Sequence, residues 1–285
     1  MTLPTPLASI KSLCARYGLL PQKSLGQHFL IDSRVLAHMV EKADLSPSDT
    51  VLEIGPGLGI LTVALAQKVK SVIAVELDRN ILPPLKEVVA AFHNVTIVHG
   101  DILKLPTTDY LVPRAPYKLV ANIPYDITGA ILRKFLTQHP LPTQLTLMMQ
   151  YEVATRIIAR AGNMSILALA VRYAGVPTMV QKVPPQAFWP MPKVSSAILT
   201  ITPHTIPRSV PEHILFAIIK KGFSQKRKQL STTLSEKGRL SKQDVEGLLQ
   251  GISLNPRARQ QDLSLEDWEL LAKAGVDAVR PDMVR

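Results

Sequence analysis

The chain has 285 residues, 46% of them hydrophobic and 19% charged, with a formal net charge of +11 and one cysteine, Cys14. That hydrophobic content argues against a disordered chain, a single cysteine closes no intrachain bridge and points to a reducing compartment, and no run of about 18 apolar residues occurs of the kind that spans a membrane as a helix. What remains is one large or two modest domains of roughly 100–200 residues each, basic enough to meet a polyanion, with nucleic acid ahead of an anionic membrane surface.

In chain order, Leu7, Ile10, Leu13 and Cys14 fall at helical spacing and predict a short helical arm within residues 1–20. Pro4 and Pro6 interrupt the start, and no basic leader precedes an unbroken apolar stretch, so it does not read as a signal peptide and a cytoplasmic protein is expected. Residues 21–32, PQKSLGQHFLID, read as a loop broken by Gly26 that becomes a helix at Asp32 or Ser33, either of which can cap it. His28 lies in this loop. The seven histidines are dispersed, and no second His or Cys stands at metal-ligand spacing, so no metal site is expected.

Residues 50–59, TVLEIGPGLG, begin as a strand and end in a glycine turn, and the helical pattern ILTVALAQKV follows. Strand, glycine turn and helix make the first half of a nucleotide-binding unit, in which Gly55 and Gly57 let the backbone approach a ligand. The next strand, SVIAVE, ends at Glu76, about 20 residues beyond Gly55, where such folds place a carboxylate for ribose hydroxyls. The spacing is G-x-G-x-G, with Ile60 where a dinucleotide fingerprint has its third glycine, and Glu53 stands two residues before Gly55. This E-x-G-x-G-x-G pattern resembles the first motif of class I S-adenosylmethionine-dependent methyltransferases. A nicotinamide dehydrogenase is the competing reading of the glycines alone.

A helix is predicted over about 80–91, then a strand, Val95 to Val98, that ends at Gly100-Asp101. Asp101 can accept from the amino group of a bound adenine, or can simply cap a turn. Residues 117–125, YKLVANIPY, read as a buried strand that ends in Asn122-Ile123-Pro124-Tyr125. Ile123 is held extended by the proline after it, and Pro124 has no N–H with which to continue a central strand. The tip therefore offers the Asn122 amide oxygen and the Ile123 or Pro124 carbonyl to the two N–H groups of an exocyclic amine. The Tyr125 ring can stack on the base that carries that amine; the plain alternative is a strand ending in a turn. A helix over 127–137, a strand over 143–149 and a helix over 150–160 follow. This alternation implies a mainly parallel sheet with helices on both faces. Ligands bind such sheets beyond the carboxyl ends of the strands, where Gly55, Glu76, Asp101 and Asn122 all fall.

Residues 184–196 form a proline-stiffened loop before a last strand, AILTI. The loop holds Phe188 and Trp189, and an aromatic there can stack on the second face of a base or serve as a hydrophobic plug. Pro203, Pro207 and Pro211 mark a domain boundary, beyond which helices are predicted over about 212–221, 224–235, 242–250 and 264–274. Residues 220–239 carry Lys220, Lys221, Lys226, Arg227, Lys228, Lys237 and Arg239 against one acid, Glu236, which suggests phosphate contacts.

The stretches QKSLGQHFL, VLEIGPGLGILT, VIAVELDRN, GDIL, LVANIPYDITGAIL, MMQYEVATRI, FWPMPKVSSAIL and KKGFSQKRKQL occur in this order over nearly the whole chain. Together they resemble the ribosomal RNA adenine dimethyltransferase family, most closely its bacterial small-subunit branch. The resemblance implies an α/β, Rossmann-like class I methyltransferase domain over 1–204, with an N-terminal arm over 1–32, and a small all-helical RNA-binding domain over 205–285. It implies S-adenosylmethionine as cofactor, held by His28, Leu30, Gly55, Gly57, Glu76, Asp101 and Asn122. Asn122, Pro124, Tyr125 and Phe188 are the implied target-base residues, and Lys220, Lys221, Lys226, Arg227 and Lys228 the candidate RNA contacts. The implied reaction is dimethylation of two adjacent adenines near the 3′ end of 16S rRNA in the small ribosomal subunit or its precursor, by a monomer working in ribosome biogenesis. Two departures stand out: His28 where the family often has Asn, and N-I-P-Y where its tip is more often N-L-P-Y. The second is shared with the macrolide-resistance methyltransferases that act on 23S rRNA. That activity and a non-catalytic nucleic-acid-binding factor on the same fold are the alternatives.

Overall fold

The computed structural model describes residues 6–22, 26–111, 115–225, 227–235 and 240–279. In chain order the elements are α1 (Pro6–Arg16), β1 (Phe29–Leu30), α2 (Ser33–Lys42), β2 (Thr50–Ile54), α3 (Ile60–Ala66), β3 (Ser71–Glu76), α4 (Leu82–Val89), β4 (Val95–His99), β5 (Lys118–Asn122), α5 (Thr128–Thr137), β6 (Gln144–Gln150), α6 (Tyr151–Ile157), α7 (Ile166–Ala174), β7 (Gly175–Val183), β8 (Phe188–Trp189), β9 (Ser196–Pro203), α8 (Glu212–Gly222), α9 (Leu230–Ser235), α10 (Lys242–Gly251) and α11 (Leu265–Val279). By packing they divide into two units, Met1–Thr155 with Val176–Pro203, and Arg156–Gly175 with His204–Arg285. The second unit thus takes in residues 156–175, which the sequence reading leaves in the first domain.

The first unit is built on a seven-stranded sheet in the order β4-β3-β2-β5-β6-β9-β7. β2 pairs in parallel with both β3 and β5, β3 with β4 and β5 with β6, while β9 runs antiparallel to β6. The chain winds outward from β2 through β3 to β4, then returns to lay β5 on the other side of β2. That reversal opens a crevice beyond the carboxyl ends of β2 and β5, the usual ligand position in such sheets. Leu52, Leu119, Val120 and Leu147 are fully buried, and α2 and α3 pack against one face in a shared apolar core. Asp32 caps α2, its carboxylate accepting from the N–H groups of Arg34 and Val35, so of the two expected caps Asp32 serves and Ser33 is the first helical residue. Capping of this kind contributes about 1 kcal/mol. A two-residue antiparallel pairing of β1 with β8 sets Phe29 opposite Trp189 and Leu30 opposite Phe188.

The strand β7 and helix α7 are not anticipated from the pattern. Pro177 interrupts β7, and proline is tolerated in a strand at a sheet edge, where β7 lies.

The second unit closes around Trp268, which is fully buried, with Leu215, Ile219, Leu230, Leu249 and Leu271. A side chain on Gly222 would come within 2.5 Å of the Trp268 ring, so α8 and α11 meet where only glycine fits. Arg208 pairs with Glu266 at 3.5 Å and Glu269 at 3.4 Å on α11. The predicted helix over 224–235 is shorter, because residues 223–228 are turns where they are described and α9 begins at Leu230. No helix among the described residues is long and apolar enough to cross a membrane, and no group of His, Cys, Asp and Glu among them could hold a metal ion.

Candidate functional site

A cavity of about 170 Å³ opens at the reversal point of the sheet in the first unit. His28, Leu30, Gly55, Gly57, Glu76, Asp101, Asn122, Pro124 and Tyr125 all line it, so most of the residues singled out from sequence converge on one space. Phe188 does not. It is 3% exposed, in a core cluster with Leu30 and Met148, because the β1–β8 pairing turns it inward. Of the two aromatic residues expected to meet the base, Tyr125 lines the cavity and Phe188 does not, while Phe29 and His28 also line it.

The glycine turn after β2 leaves its ligand side open. Gly55 has φ +65°, and nothing lies within 4 Å of where a side chain would project, so the backbone itself forms the cavity wall there. At Gly57, φ +53°, a Cβ would press to 3.1 Å of the Phe29 ring, so that position requires glycine both for its conformation and for the packing of β1.

Glu76 ends β3 and ties this turn to its own strand. Its Oε2 accepts from the Gly57 N–H at 3.1 Å and its Oε1 from the Asp78 N–H at 2.8 Å. It is 7% exposed, and burial raises its pKa against the opposing pull of these backbone donors. Each carboxylate oxygen keeps a second lone pair for a ligand hydroxyl. Asp101, half-buried after β4, uses Oδ1 to accept from the Leu103 N–H at 3.0 Å, so it caps a turn and faces the cavity at once. The two sequence readings of Asp101 are compatible: the turn is what aims it. The exposed Leu77 and the buried Ile102 supply apolar walls beside these carboxylates.

Glu53 is a second buried acid in the cavity wall. It is 1% exposed, and its Oε2 has no hydrogen-bond partner among the described residues. Burial pushes its pKa up to about 8, with the Thr62 hydroxyl acting against that shift and the Glu76 charge adding to it. A carboxyl protonated more readily in the folded than in the unfolded chain stabilises the fold at low pH and loses that contribution as pH rises toward 8. The melting temperature is therefore expected to fall between about pH 5 and pH 8, and Glu53→Gln, neutral throughout, to flatten the fall. Parallel melting curves for the two proteins would show that Glu53 does not titrate in this range.

At the tip of β5, Asn122 Nδ2 donates to the His28 carbonyl at 3.2 Å. A carbonyl can only accept, so this contact orients the amide, and Oδ1 is left facing the cavity with no protein donor among the described residues. Ile123 N donates to the Met148 carbonyl at 2.9 Å, and the Ile123 carbonyl has no donor among the described residues. The Pro124 carbonyl receives only long contacts, from Ile127 N at 3.3 Å and Thr128 Oγ1 at 3.4 Å. The Tyr125 hydroxyl lies 2.7 Å from Ser196 Oγ, which anchors the far end of the ring. The His28 ring stacks on Tyr125 with centroids 5.9 Å apart and planes inclined by 28°, and its Nδ1 lies 2.7 Å from the Pro190 carbonyl. The departure from the family pattern at His28 thus props the tyrosine.

Ser196, Pro190 and Gln27, which bonds Asp78 at 2.8 Å, are supporting residues that the sequence reading misses. Ser196 and Pro190 sit in the proline-rich stretch already marked, but no local spacing distinguishes them. In the second unit Lys220, Arg227 and Lys228 are exposed and Lys221 is half-buried, its pKa lowered by burial. None of the four has an ion-pair partner among the described residues. Lys226 lies outside the described residues, as do Lys237 and Arg239.

Comparison with known proteins agrees with this geometry. A family model described as ribosomal RNA adenine dimethylase matches residues 19–274. A protein named ribosomal RNA small subunit methyltransferase A from Dehalococcoides mccartyi is 43% identical over 94% of this chain and 93% of its own length. A protein of the same name from Alkaliphilus metalliredigens is 36% identical over 92% of this chain and 94% of its own length. Among solved structures, a dimethyladenosine transferase from Plasmodium falciparum superposes with a TM-score of 0.76 at 26% identity, covering 87% of this chain and 98% of that one. The 23S rRNA methyltransferase ErmE superposes with a TM-score of 0.71 at 28% identity, covering 86% of this chain and 98% of that one.

Proposed function

We infer that this chain, which belongs to the ribosomal RNA adenine dimethylase family, dimethylates the 6-amino groups of two adjacent adenines near the 3′ end of 16S rRNA, within the small ribosomal subunit or a precursor of it. S-adenosylmethionine is the methyl donor. The residues present fit it: an open backbone wall at Gly55, two acids with acceptor capacity left at Glu76 and at Asp101, whose Oδ2 also lies 3.5 Å from the exposed Lys104 ammonium, and apolar walls at Leu77 and Ile102. Glu76 would hold the ribose hydroxyls, Asp101 the adenine amino group, and the backbone around His28 and Gly55 the remainder. When bound, this cofactor supplies a methyl group on a sulfonium that a nucleophile can take.

The observation that carries the reading is the β5 tip, with Asn122 Oδ1 and the Ile123 carbonyl both unengaged beside a propped tyrosine ring. An adenine amine is a poor nucleophile because its lone pair is delocalised into the ring. Accepting its two N–H bonds at Asn122 and at the Ile123 or Pro124 carbonyl favours a more tetrahedral nitrogen and aims the lone pair. Stacking on Tyr125, worth roughly 1–3 kcal/mol, offsets the few kcal/mol spent in unstacking the base. Positioning on this scale can account for up to about 7–11 kcal/mol of a barrier. The proton released after methylation passes to water.

The basic residues Lys220, Lys221, Arg227 and Lys228, with Lys226 beside them in sequence, are proposed to bind RNA phosphates. Lys-to-Ala changes at 220, 221 and 228 are expected to weaken RNA binding and to lower the salt slope by up to about 0.7–0.9 for each phosphate no longer neutralised. An unaltered slope would make the helix a bystander.

Labelled S-adenosylmethionine, given separately to undermethylated small subunits and to protein-free 23S rRNA, tests the function. Dimethyladenosine in digests of the small-subunit sample alone is the expected result. Label in 23S rRNA alone would transfer the protein to the resistance branch, and label in neither would overturn the reading as an enzyme on mature subunits.

A further inference from the structure

The turn that carries Asp101 is gripped from α5. Residues 101–105 form one turn, in which the Asp101 carbonyl accepts from the N–H groups of Lys104 and Leu105, both at 2.9 Å. The side chain of Asp101 caps its first end through Leu103 N. At the other end Lys134 Nζ donates to the carbonyls of Ile102 at 2.6 Å and Leu105 at 2.5 Å. Lys134 is 8% exposed and has no carboxylate in ion-pair contact among the described residues. Burying an ammonium group is costly unless its donors are engaged, and a leucine would fill the same position on an apolar helix face more cheaply. Its two short bonds to this turn are the compensation. The same helix begins at Thr128, whose hydroxyl reaches the carbonyls of Pro124 at 3.4 Å and Tyr125 at 3.3 Å. One rigid element therefore joins the tip for the target base to the turn for the cofactor.

We propose that Lys134 is a positioning residue for cofactor recognition: it fixes the 101–105 turn so that Asp101 accepts the 6-amino group of the cofactor's adenine, and so sets the preference for adenine over a 6-oxo purine. The proposal rests on the functional reading given above. Burial lowers the Lys134 pKa while the nearby Asp101 charge raises it, so the two groups interact. A turn displaced by even a few tenths of an ångström loses the aim of one carboxylate oxygen but leaves the ribose contact at Glu76, on another strand, untouched.

Calorimetric binding of S-adenosylhomocysteine and its 6-oxo counterpart, S-inosylhomocysteine, tests this, with thermal unfolding measured for each protein. The wild type is expected to prefer the adenosyl compound by at least about tenfold, as a site with a hydrogen-bond acceptor does against a ligand lacking the donor. Lys134→Met is expected to bind the adenosyl compound about tenfold more weakly and the inosyl compound nearly as well as the wild type, reducing the preference about tenfold. Lys134→Gln, which retains a donor, should fall between, and it decides the case if the methionine variant does not fold. Equal weakening of both compounds would overturn the proposal, since a merely structural role affects both alike. A wild type that binds both equally would also overturn it while leaving the methyltransferase reading intact; a wild type that binds neither would remove both.

Discussion

Asn122→Ala is expected to lower the turnover of RNA methylation by about 10²–10³-fold, the loss typical when one preorganised hydrogen-bonding group is removed from a reacting centre. RNA affinity is expected to change by less than about threefold, because phosphate contacts supply most of that binding. The amide is already oriented, through Nδ2 to the His28 carbonyl, so no reorganisation is needed when the amine arrives at Oδ1. Alanine removes the acceptor and strips the His28 carbonyl of its donor, which costs about 1–3 kcal/mol if water does not replace it. Asn122→Asp is expected to fail as well, because a carboxylate oxygen would oppose the His28 carbonyl where the amide now donates. Single-turnover rates measured beside RNA dissociation constants separate these effects. Equal losses in rate and in RNA affinity would sink the positioning role of Asn122.

Glu76→Ala is expected to weaken S-adenosylmethionine binding by about 10–100-fold or more, on the basis of about 1.5–3 kcal/mol for hydrogen bonds to a charged group. Two losses combine. The ribose hydroxyls lose their acceptors, and the N–H groups of Gly57 and Asp78 lose the carboxylate that holds the glycine turn against β3. Glu76→Gln keeps one acceptor oxygen and is expected to recover part of the affinity, since one of the two backbone donors then faces an amide NH₂. Calorimetry orders the three proteins, and an unchanged dissociation constant in the alanine variant would remove Glu76 from the ribose. The Asn122 and Glu76 variants are also expected to differ in kind: the first loses rate at saturating cofactor, whereas the second recovers rate when cofactor is raised.

The order of strands, turns and helices in the first unit was legible from sequence because it is written locally. Alternating apolar strands, the G-x-G-x-G turn and the Asn-Ile-Pro-Tyr tip each need only a few neighbouring residues to state what they are. The convergence of Gly55, Glu76, Asp101 and Asn122 was legible too, since parallel winding places every strand's carboxyl end on one edge of the sheet. The inward turn of Phe188 was not, for it depends on β8 finding β1 far away in the chain. Nor was the place of residues 156–175 with the second unit, which follows from how their apolar side chains pack rather than from any break in composition.

What the sequence determined by itself, then, is the set of chemical groups and the edge on which they meet. Their aim was decided by tertiary structure alone. Asn122 is oriented by His28 across 94 residues, Tyr125 is anchored by Ser196 across 71, and the His28 ring is held by Pro190 across 162. Lys134 reaches Ile102 across 32 residues from another element. Hydrogen bonds of this kind form only once the chain reverses at β5 and brings distant segments to within about 3 Å, the ordinary hydrogen-bond distance. No periodicity or spacing records them, and they are what turns a set of suitable groups into a site that can hold an amine still.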